Sequence, residues 1–112
     1  MTIFITQGRY TQQAIKGLVA TPEDRMEQVR GLMKAAGVKL LSYYVTFGEY
    51  DFMVIGEGDA SMTDFAAALM VASAGGGVTD LKSTVAITSA EAKTAFTKAG
   101  SMAAGFKAAG QG

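Results

Sequence analysis

Two strands joined by a very short connection constrain the fold of this chain more than any other feature. The segments VKLLSYYVTF (38–47) and YDFMVIG (50–56) are rich in aromatic and β-branched residues, as β-strands are. Between them, Gly48 and Glu49 form a two-residue connection with glycine first, which is the pattern of a type II′ turn. We therefore predict a tight antiparallel hairpin in the middle of the chain.

Helices and further strands flank this hairpin. Residues 11–17 contain turn-forming residues and are interpreted as an irregular or single-turn segment, whereas Thr21 followed by Pro22 has the pattern of a helix start. The predicted elements are a strand at 2–10, a helix from Thr21 to Gly37, strands at 38–47 and 50–56, a helix from Asp59 or Ser61 to Gly75, a strand at 78–87 and a helix from Thr88.

This order is β-α-β-β-α-β followed by a C-terminal helix, which predicts an α+β fold. In the ferredoxin-like arrangement, right-handed crossovers place both helices on one face of a four-stranded antiparallel sheet. Strands one and three are expected to be central. The chain has 112 residues, enough for one core, and we predict a single domain over residues 1–99. Residues 100–112, rich in Gly and Ala, are predicted to form a flexible tail.

The chain contains neither cysteine nor histidine, which excludes several kinds of site. Without cysteine there is no disulfide, thiolate metal ligand or thiol nucleophile. Without histidine there is no zinc site of the usual type, no imidazole-ligated haem and no histidine-containing triad. We predict no metal and no cofactor, so any chemistry depends on carboxylates, tyrosines, lysines or arginines.

Charge and hydropathy limit the partners and the location. Ten basic and ten acidic residues cancel, and no basic cluster stands out, so we predict no nucleic-acid partner. No apolar run approaches the ~20 residues of a membrane span, so we predict no membrane association. The N-terminal MTIFITQGRY has no basic leader before an apolar stretch, so we expect no signal peptide and a cytoplasmic location.

Alternation within the hairpin places its side chains on two faces of the sheet. The almost wholly apolar face is expected to lie under the helices, and the mixed face carries a carboxylate that a dry core would not hold unpaired. We infer that a second sheet packs on the mixed face in a homodimer and encloses a partly polar cavity. The apolar face comprises Leu41, Tyr43, Val45, Phe47, Tyr50, Phe52 and Val54, and the mixed face Leu40, Ser42, Tyr44, Thr46, Asp51, Met53 and Ile55.

The motif GEYD after an aromatic strand (YYVTFGEYDFMVIGE), together with TQQAIKG after the first strand, resembles the GYD domain family. These are small bacterial proteins related to dimeric α/β barrel domains. The resemblance covers roughly residues 1–96, and Gly48, Tyr50 and Asp51 match the pattern that names the family. It implies a dimeric α/β barrel, and hence a homodimer or higher homo-oligomer, but it transfers no catalytic residue.

Asp51 is the first candidate for a functional residue. In a partly apolar cavity it would serve as a general acid or base, with Tyr44 and Thr46 as hydrogen-bonding neighbours. The alternative is a carboxylate that anchors its turn by binding backbone N–H groups. Ser42 and Met53 share the mixed face with these residues and are the other candidates for ligand binding there.

Arg9 and Glu57 form a second candidate pair. We expect the first and third strands to be adjacent and parallel, so that their far ends bring these two residues together at the mouth of a pocket, where they would hold an anionic ligand. An ordinary surface ion pair, worth less than about 1 kcal/mol, is the alternative.

Three functions agree with this sequence. The first is a homo-oligomeric module that binds a small, partly apolar molecule without turnover. The second is a cofactor-independent enzyme, such as a monooxygenase or isomerase, in which Asp51 and Tyr44 move protons. The third is a module that binds another protein. We rank them in this order because the mixed face suits a ligand and the chain lacks an evident catalytic set.

Overall fold

In the computed structural model, which describes residues 1–111, four antiparallel strands form one sheet in the order β2-β3-β1-β4. The predicted α+β, ferredoxin-like fold is confirmed, with strands one and three in the centre. The elements are β1 (Thr2–Tyr10), α1 (Gln12–Ala20), α2 (Met26–Ala35), β2 (Val38–Val45), β3 (Phe52–Gly58), α3 (Met62–Ala74), β4 (Val78–Ala86) and α4 (Ser89–Ala103).

The region before β2 contains two helices where one was predicted. The segment after β1 is the nine-residue helix α1, not an irregular turn. The hydroxyl of Thr11 caps it by accepting a hydrogen bond from the backbone N–H of Ala14 at 3.1 Å. The predicted helix start at Thr21 was wrong, because Thr21 ends α1 and α2 begins at Met26.

Two other helix starts agree with the sequence prediction. At the start of α3, the hydroxyl of Ser61 accepts a hydrogen bond from the N–H of Asp64 at 3.1 Å. At the start of α4, Thr88 and Glu91 form a reciprocal capping box, with both hydrogen bonds at 3.1 Å. In each case the partners are three residues apart, so the local sequence was sufficient to identify them.

The hairpin has the predicted register but a longer connection. Val45 lies opposite Phe52, as expected, and residues 46–51 connect the two strands. The backbone of Gly48 is not at positive φ, which a type II′ turn would require, so the two-residue turn was wrong. Phe47, predicted to lie under the helices, is 99% exposed in this loop.

An irregularity in β2 moves Leu40 to the opposite face from the one predicted. The register shifts between Leu40 and Ser42, as at a β-bulge. Leu40, expected on the mixed face, is only 5% exposed and lies in the core, whereas Leu41 is 41% exposed. One extra residue reverses the alternation of all residues before it, and the hydrophobic pattern does not reveal it.

The core lies between the sheet and helices α2 and α3. The rings of Phe4 on β1 and Phe65 on α3 stack with centroids 4.4 Å apart, which joins the central strand to a helix. Both side chains are buried. The core cluster comprises Phe4, Met33, Val38, Leu40, Phe52, Val54 and Phe65.

The C-terminal helix α4 extends away from the sheet. The radius of gyration is 18.1 Å, and the longest dimension is 63 Å, whereas a compact chain of this length has a radius of about 13 Å. None of the residues of α4 is buried, and Phe96 and Met102 are exposed. The helix continues past residue 100, the predicted start of the tail, and the flexibility of the tail stays a prediction. Within residues 1–111 no helix has the length and apolar character needed to cross a membrane.

Candidate functional site

Asp51 lies in the hairpin loop and binds the end of β1. Its carboxylate Oδ2 accepts a hydrogen bond from the backbone N–H of Tyr10 at 2.9 Å. The backbone N–H of Asp51 donates to the carbonyl of Gly8 at 2.8 Å. Backbone groups that are partly buried need such partners. Of the two interpretations that the sequence left open for Asp51, this geometry favours the anchor of a turn.

Thr46 and Arg9 are bound to the same loop. The hydroxyl of Thr46 donates to the carbonyl of Tyr50 at 2.6 Å. The Nε of Arg9 donates to the carbonyl of Glu49 at 2.8 Å, and its guanidinium lies 5.5 Å from the centroid of the Tyr50 ring. The side chain of Arg9 therefore holds the loop against the end of β1, and the hydroxyl of Thr46 joins two residues within the loop.

Arg9 and Glu57 do not lie together, contrary to the prediction. β1 and β3 are antiparallel, and Glu57 lies opposite Ile3, so the two charged residues are at opposite ends of the sheet. The physical reason is that the crossover keeps β2 parallel to β1 and the hairpin then reverses β3. Arg9 instead forms an exposed ion pair with Asp80, with N and O 3.6 Å apart.

Ser42, Tyr44 and Met53 lie on the face of the sheet opposite to α2 and α3, where the alternation placed them. Tyr44 lies opposite Met53, and Ser42 opposite Ile55. Tyr44 is 56% exposed, and no residue of this face is buried. That these residues bind a ligand stays a prediction. We call this surface the open face; it comprises Ile3, Ile5, Gln7, Lys39, Ser42, Tyr44, Met53, Ile55, Glu57, Lys82 and Thr84.

A cleft lies on the other side of the sheet, between the sheet and helices α2 and α3. Its volume is about 380 Å³, within the range that small molecules occupy in proteins. We call it the helix-side cleft. Most of its lining is apolar, including Val29 on α2, Val54 on β3 and Leu69 on α3. Its polar side chains are Thr6, Tyr10, Arg25, Gln28 and Tyr43.

Two tyrosines meet in this cleft. The hydroxyls of Tyr10 on β1 and Tyr43 on β2 share a hydrogen bond, and both rings pack beside Phe52, with centroids 5.1 and 6.1 Å away. Burial raises the pKa of the Tyr43 hydroxyl well above its usual range, and the hydrogen bond with Tyr10 raises it further. Tyr43 is therefore a neutral hydrogen-bonding group at any physiological pH.

Sequence reasoning missed Tyr10, Arg25 and Tyr43 as candidates. The alternation predicts Tyr43 on the apolar face, in the core under the helices, and Tyr44 on the mixed face that lines a cavity. Tyr43 does pack against the core cluster, but it also lines the helix-side cleft. The signal was present, because a tyrosine on an otherwise apolar face needs a polar partner for its hydroxyl.

The raised pKa of Tyr43 has a measurable consequence. The pKa of this hydroxyl is higher in the folded state than the unfolded value of 10.0. Its contribution to the free energy of unfolding is therefore fully present below pH 10.0 and is lost as the pH rises through the folded pKa. We expect the tyrosinate absorbance of wild type minus that of Tyr43→Phe to titrate above pH 10.0. A difference curve with its midpoint at or below that pH would contradict the burial of this hydroxyl.

Within residues 1–111 no three acidic side chains are grouped as a metal site would require.

The model of the GYD domain family matches residues 4–96 of the chain. No curated protein matches this chain.

Several solved structures are similar to parts of this chain. Hypothetical protein PHS023 from Pyrococcus horikoshii is 18% identical over 79% of this chain and 92% of its own, with a TM-score of 0.47. The protein FFRP-DM1 is 18% identical over 78% of this chain and 100% of its own, with a TM-score of 0.47. Protein Atu4242 from Agrobacterium tumefaciens is 16% identical over 80% of this chain and 94% of its own, with a TM-score of 0.48.

Proposed function

The chain belongs to the GYD domain family, and for this member of it we propose a homo-oligomeric module that binds a small, partly apolar molecule without converting it. Two copies pack through their open faces as a dimeric α/β barrel, and the molecule lies between the two sheets. The observation that carries this proposal is the apolar character of a sheet face on which no second layer packs within residues 1–111.

The centre of the open face is apolar. Ile5 lies opposite Ile55, and Ile3 and Met53 flank them on the same face. A sheet that turns one face to water normally carries polar residues at these positions. A contiguous apolar surface of this kind is typical of an interaction site, which supports a second copy as its cover.

The charged residues at the edge of the open face allow it to pack against the same face of a second copy. Lys39 lies opposite Glu57 at one end, and Lys82 lies opposite Gln7 near the other. A two-fold interface uses the same patch on both subunits, so the patch must complement itself. Charges of both signs around an apolar centre meet this requirement, because they pair across the axis or stay solvated at the rim.

The polar groups of the open face define the kind of molecule that would bind there. Ser42 and Tyr44 contribute hydroxyls, and Gln7 contributes an amide, among isoleucine and methionine side chains. Few, uncharged polar groups within an apolar lining are typical of sites for small molecules. We therefore expect a ligand that is partly apolar and has one or two hydrogen-bonding groups.

The geometry around Asp51 supports binding in preference to catalysis. A general base must lie within hydrogen-bond reach of its substrate, and Asp51 does not line the helix-side cleft. The Oδ2 of Asp51 is bonded to the N–H of Tyr10, and the loop that carries Asp51 is held by Arg9 and Thr46. These contacts give the carboxylate a structural role at the end of β1.

Native mass spectrometry of protein purified from its own host tests both parts of the proposal. We expect a dimer, or a larger even-numbered assembly, that carries a small molecule released on denaturation. We expect Tyr44→Phe to lower the occupancy of that molecule, because the variant removes one of the hydroxyls between the sheets. A stable monomer at micromolar concentration would refute the packing of open faces. A dimer that carries no small molecule, and that takes up none when small molecules are added to it, would refute the binding.

A further inference from the structure

The hydroxyl pair in the helix-side cleft can act as a hydrogen-bond donor toward a ligand. Each tyrosine hydroxyl has one proton and can accept as well as donate. In the pair of Tyr10 and Tyr43, one proton lies between the two oxygens, and the other remains to donate. Since the hydroxyl of Tyr43 does not ionise at physiological pH, the pair offers a donor and brings no negative charge.

Arg25 adds a positive charge beside this pair. It lines the same cleft, and its guanidinium is close enough to lower the pKa of Tyr43, although burial outweighs this effect. Its partner is Glu23, with N and O 3.2 Å apart and both side chains more than 40% exposed, at 41% and 43%. An ion pair this exposed contributes little stability, so a ligand anion can replace Glu23 at small cost.

Asp24 is an acidic residue near the cleft, and its effect on the hydroxyl pair is smaller than that of Arg25. Asp24 also acts on the pKa of Tyr43, in the opposite direction to Arg25. Its carboxylate is already engaged, because Oδ1 accepts a hydrogen bond from the N–H of Met26 at 2.9 Å and so binds the start of α2. Asp24 keeps its charge in this bond, and the effect of Arg25 at the hydroxyl pair is the larger of the two.

The remainder of the cleft suits an apolar body. Val29, Leu69 and Leu81 line it from α2, α3 and β4. The most deeply buried polar residue of the lining, Thr6, is 3% exposed, and its hydroxyl is paired with that of Ser83 at 2.7 Å. The hydroxyl of Thr6 has a partner within the protein, so it does not need one from a ligand.

We propose that the helix-side cleft is a binding site for a small amphipathic carboxylate, whose head is bound by Arg25 and the Tyr10–Tyr43 pair and whose body lies against the apolar lining. One arginine and one hydroxyl donor match the single charge of a carboxylate. A phosphate, with more charge and more acceptor oxygens, would need further donors. This site lies on the opposite side of the sheet from the open face, so it does not depend on the proposed function.

Isothermal titration of the full chain with octanoate tests this site. We expect octanoate to bind at millimolar concentration or below, and 1-octanol to bind more weakly because it lacks the charged head. Arg25→Gln and Tyr43→Phe should each weaken octanoate binding about tenfold, since each removes one partner of a charged group. Arg25 is on the surface, so its substitution leaves the core intact even if Tyr43→Phe lowers stability.

Two matched variants control for indirect effects. Arg30→Gln changes the same residue type on α2, at a position that contacts Glu27 and does not line the helix-side cleft. Tyr50→Phe changes a tyrosine of the hairpin loop, whose ring lies beside Arg9 and does not line the helix-side cleft. Neither should change the affinity for octanoate by more than about twofold.

Three results would overturn the proposal. The first is that octanoate does not bind at all. The second is that Arg25→Gln and Tyr43→Phe bind it as tightly as wild type. The third is that Tyr44→Phe alone weakens it, which would assign the carboxylate to the open face and support the proposed function instead. Failure of octanoate to bind would leave the retained molecule between the sheets unaffected, so the two proposals fail separately.

Discussion

Replacing Met53 by lysine should dissociate the proposed dimer. Met53 lies on the open face between Tyr44 on β2 and Gln7 on β1, close to its apolar centre. In a two-fold assembly, lysine at this position places an unpaired cation in the interface of each copy, at a cost of several kcal/mol. We expect the dissociation constant to rise at least about 100-fold, so that sedimentation at micromolar concentration shows monomers or unfolded chains.

Met70→Lys is the matched control for this experiment. Met70 lies on α3 and is 69% exposed, so the same substitution there leaves the charge in water. We expect this variant to sediment like wild type and to melt within about 0.5 kcal/mol of it. If Met53→Lys also keeps the mass of the wild-type assembly, the open face is not the interface and the proposed packing is wrong.

Removing the carboxylate of Asp51 should lower the free energy of unfolding by about 1–3 kcal/mol. In Asp51→Ala the N–H of Tyr10 loses this acceptor, and the loop loses one of its hydrogen bonds to the end of β1. Asp51→Asn keeps an acceptor oxygen of the same shape but no charge, so we expect a smaller loss of stability. Chemical denaturation at neutral pH measures both.

Asp59→Ala is the control for the Asp51 variants, since Asp59 is an exposed acid just after β3. Its effect on the free energy of unfolding should stay within about 0.5 kcal/mol.

A different result for Asp51 would support its alternative interpretation as a general base. A carboxylate held in a partly apolar cavity for proton transfer costs stability, so its replacement by asparagine would be neutral or stabilising. An Asp51→Asn variant as stable as wild type, with binding or turnover abolished, would restore the interpretation of Asp51 as a general base.

Local sequence was sufficient for the elements whose partners are close along the chain. The caps at Ser61 and Thr88 join residues three apart, and the register of the hairpin follows from the pairs next to its loop, such as Val45 with Phe52. The order of strands and helices then allows few topologies, because crossovers in a sheet are right-handed. For this reason the ferredoxin-like fold could be predicted from a single sequence.

The candidate sites could be predicted only in part. Alternation correctly placed Ser42, Tyr44 and Met53 on one face. It failed for Leu40, because an irregularity of one residue reverses the pattern without leaving a trace in the hydrophobicity. The prediction for Arg9 and Glu57 failed for a different reason, because it took β1 and β3 as parallel and they are antiparallel.

The remaining features were decided by contacts between residues distant in sequence. Asp51 binds a backbone N–H 41 residues before it, and Tyr10 meets Tyr43 across 33 residues. Such contacts depend on how the strands pair and how far the helices stand from the sheet, and neither quantity is encoded by a local pattern. The sequence by itself determined the four strands and their order along the chain, the caps of α3 and α4, and the absence of histidine and cysteine chemistry. Only the tertiary structure decided that Asp51 anchors a turn and that a cleft lined by Tyr10, Tyr43 and Arg25 lies between the sheet and the helices. The reason is that both features depend on contacts between segments that are far apart along the chain.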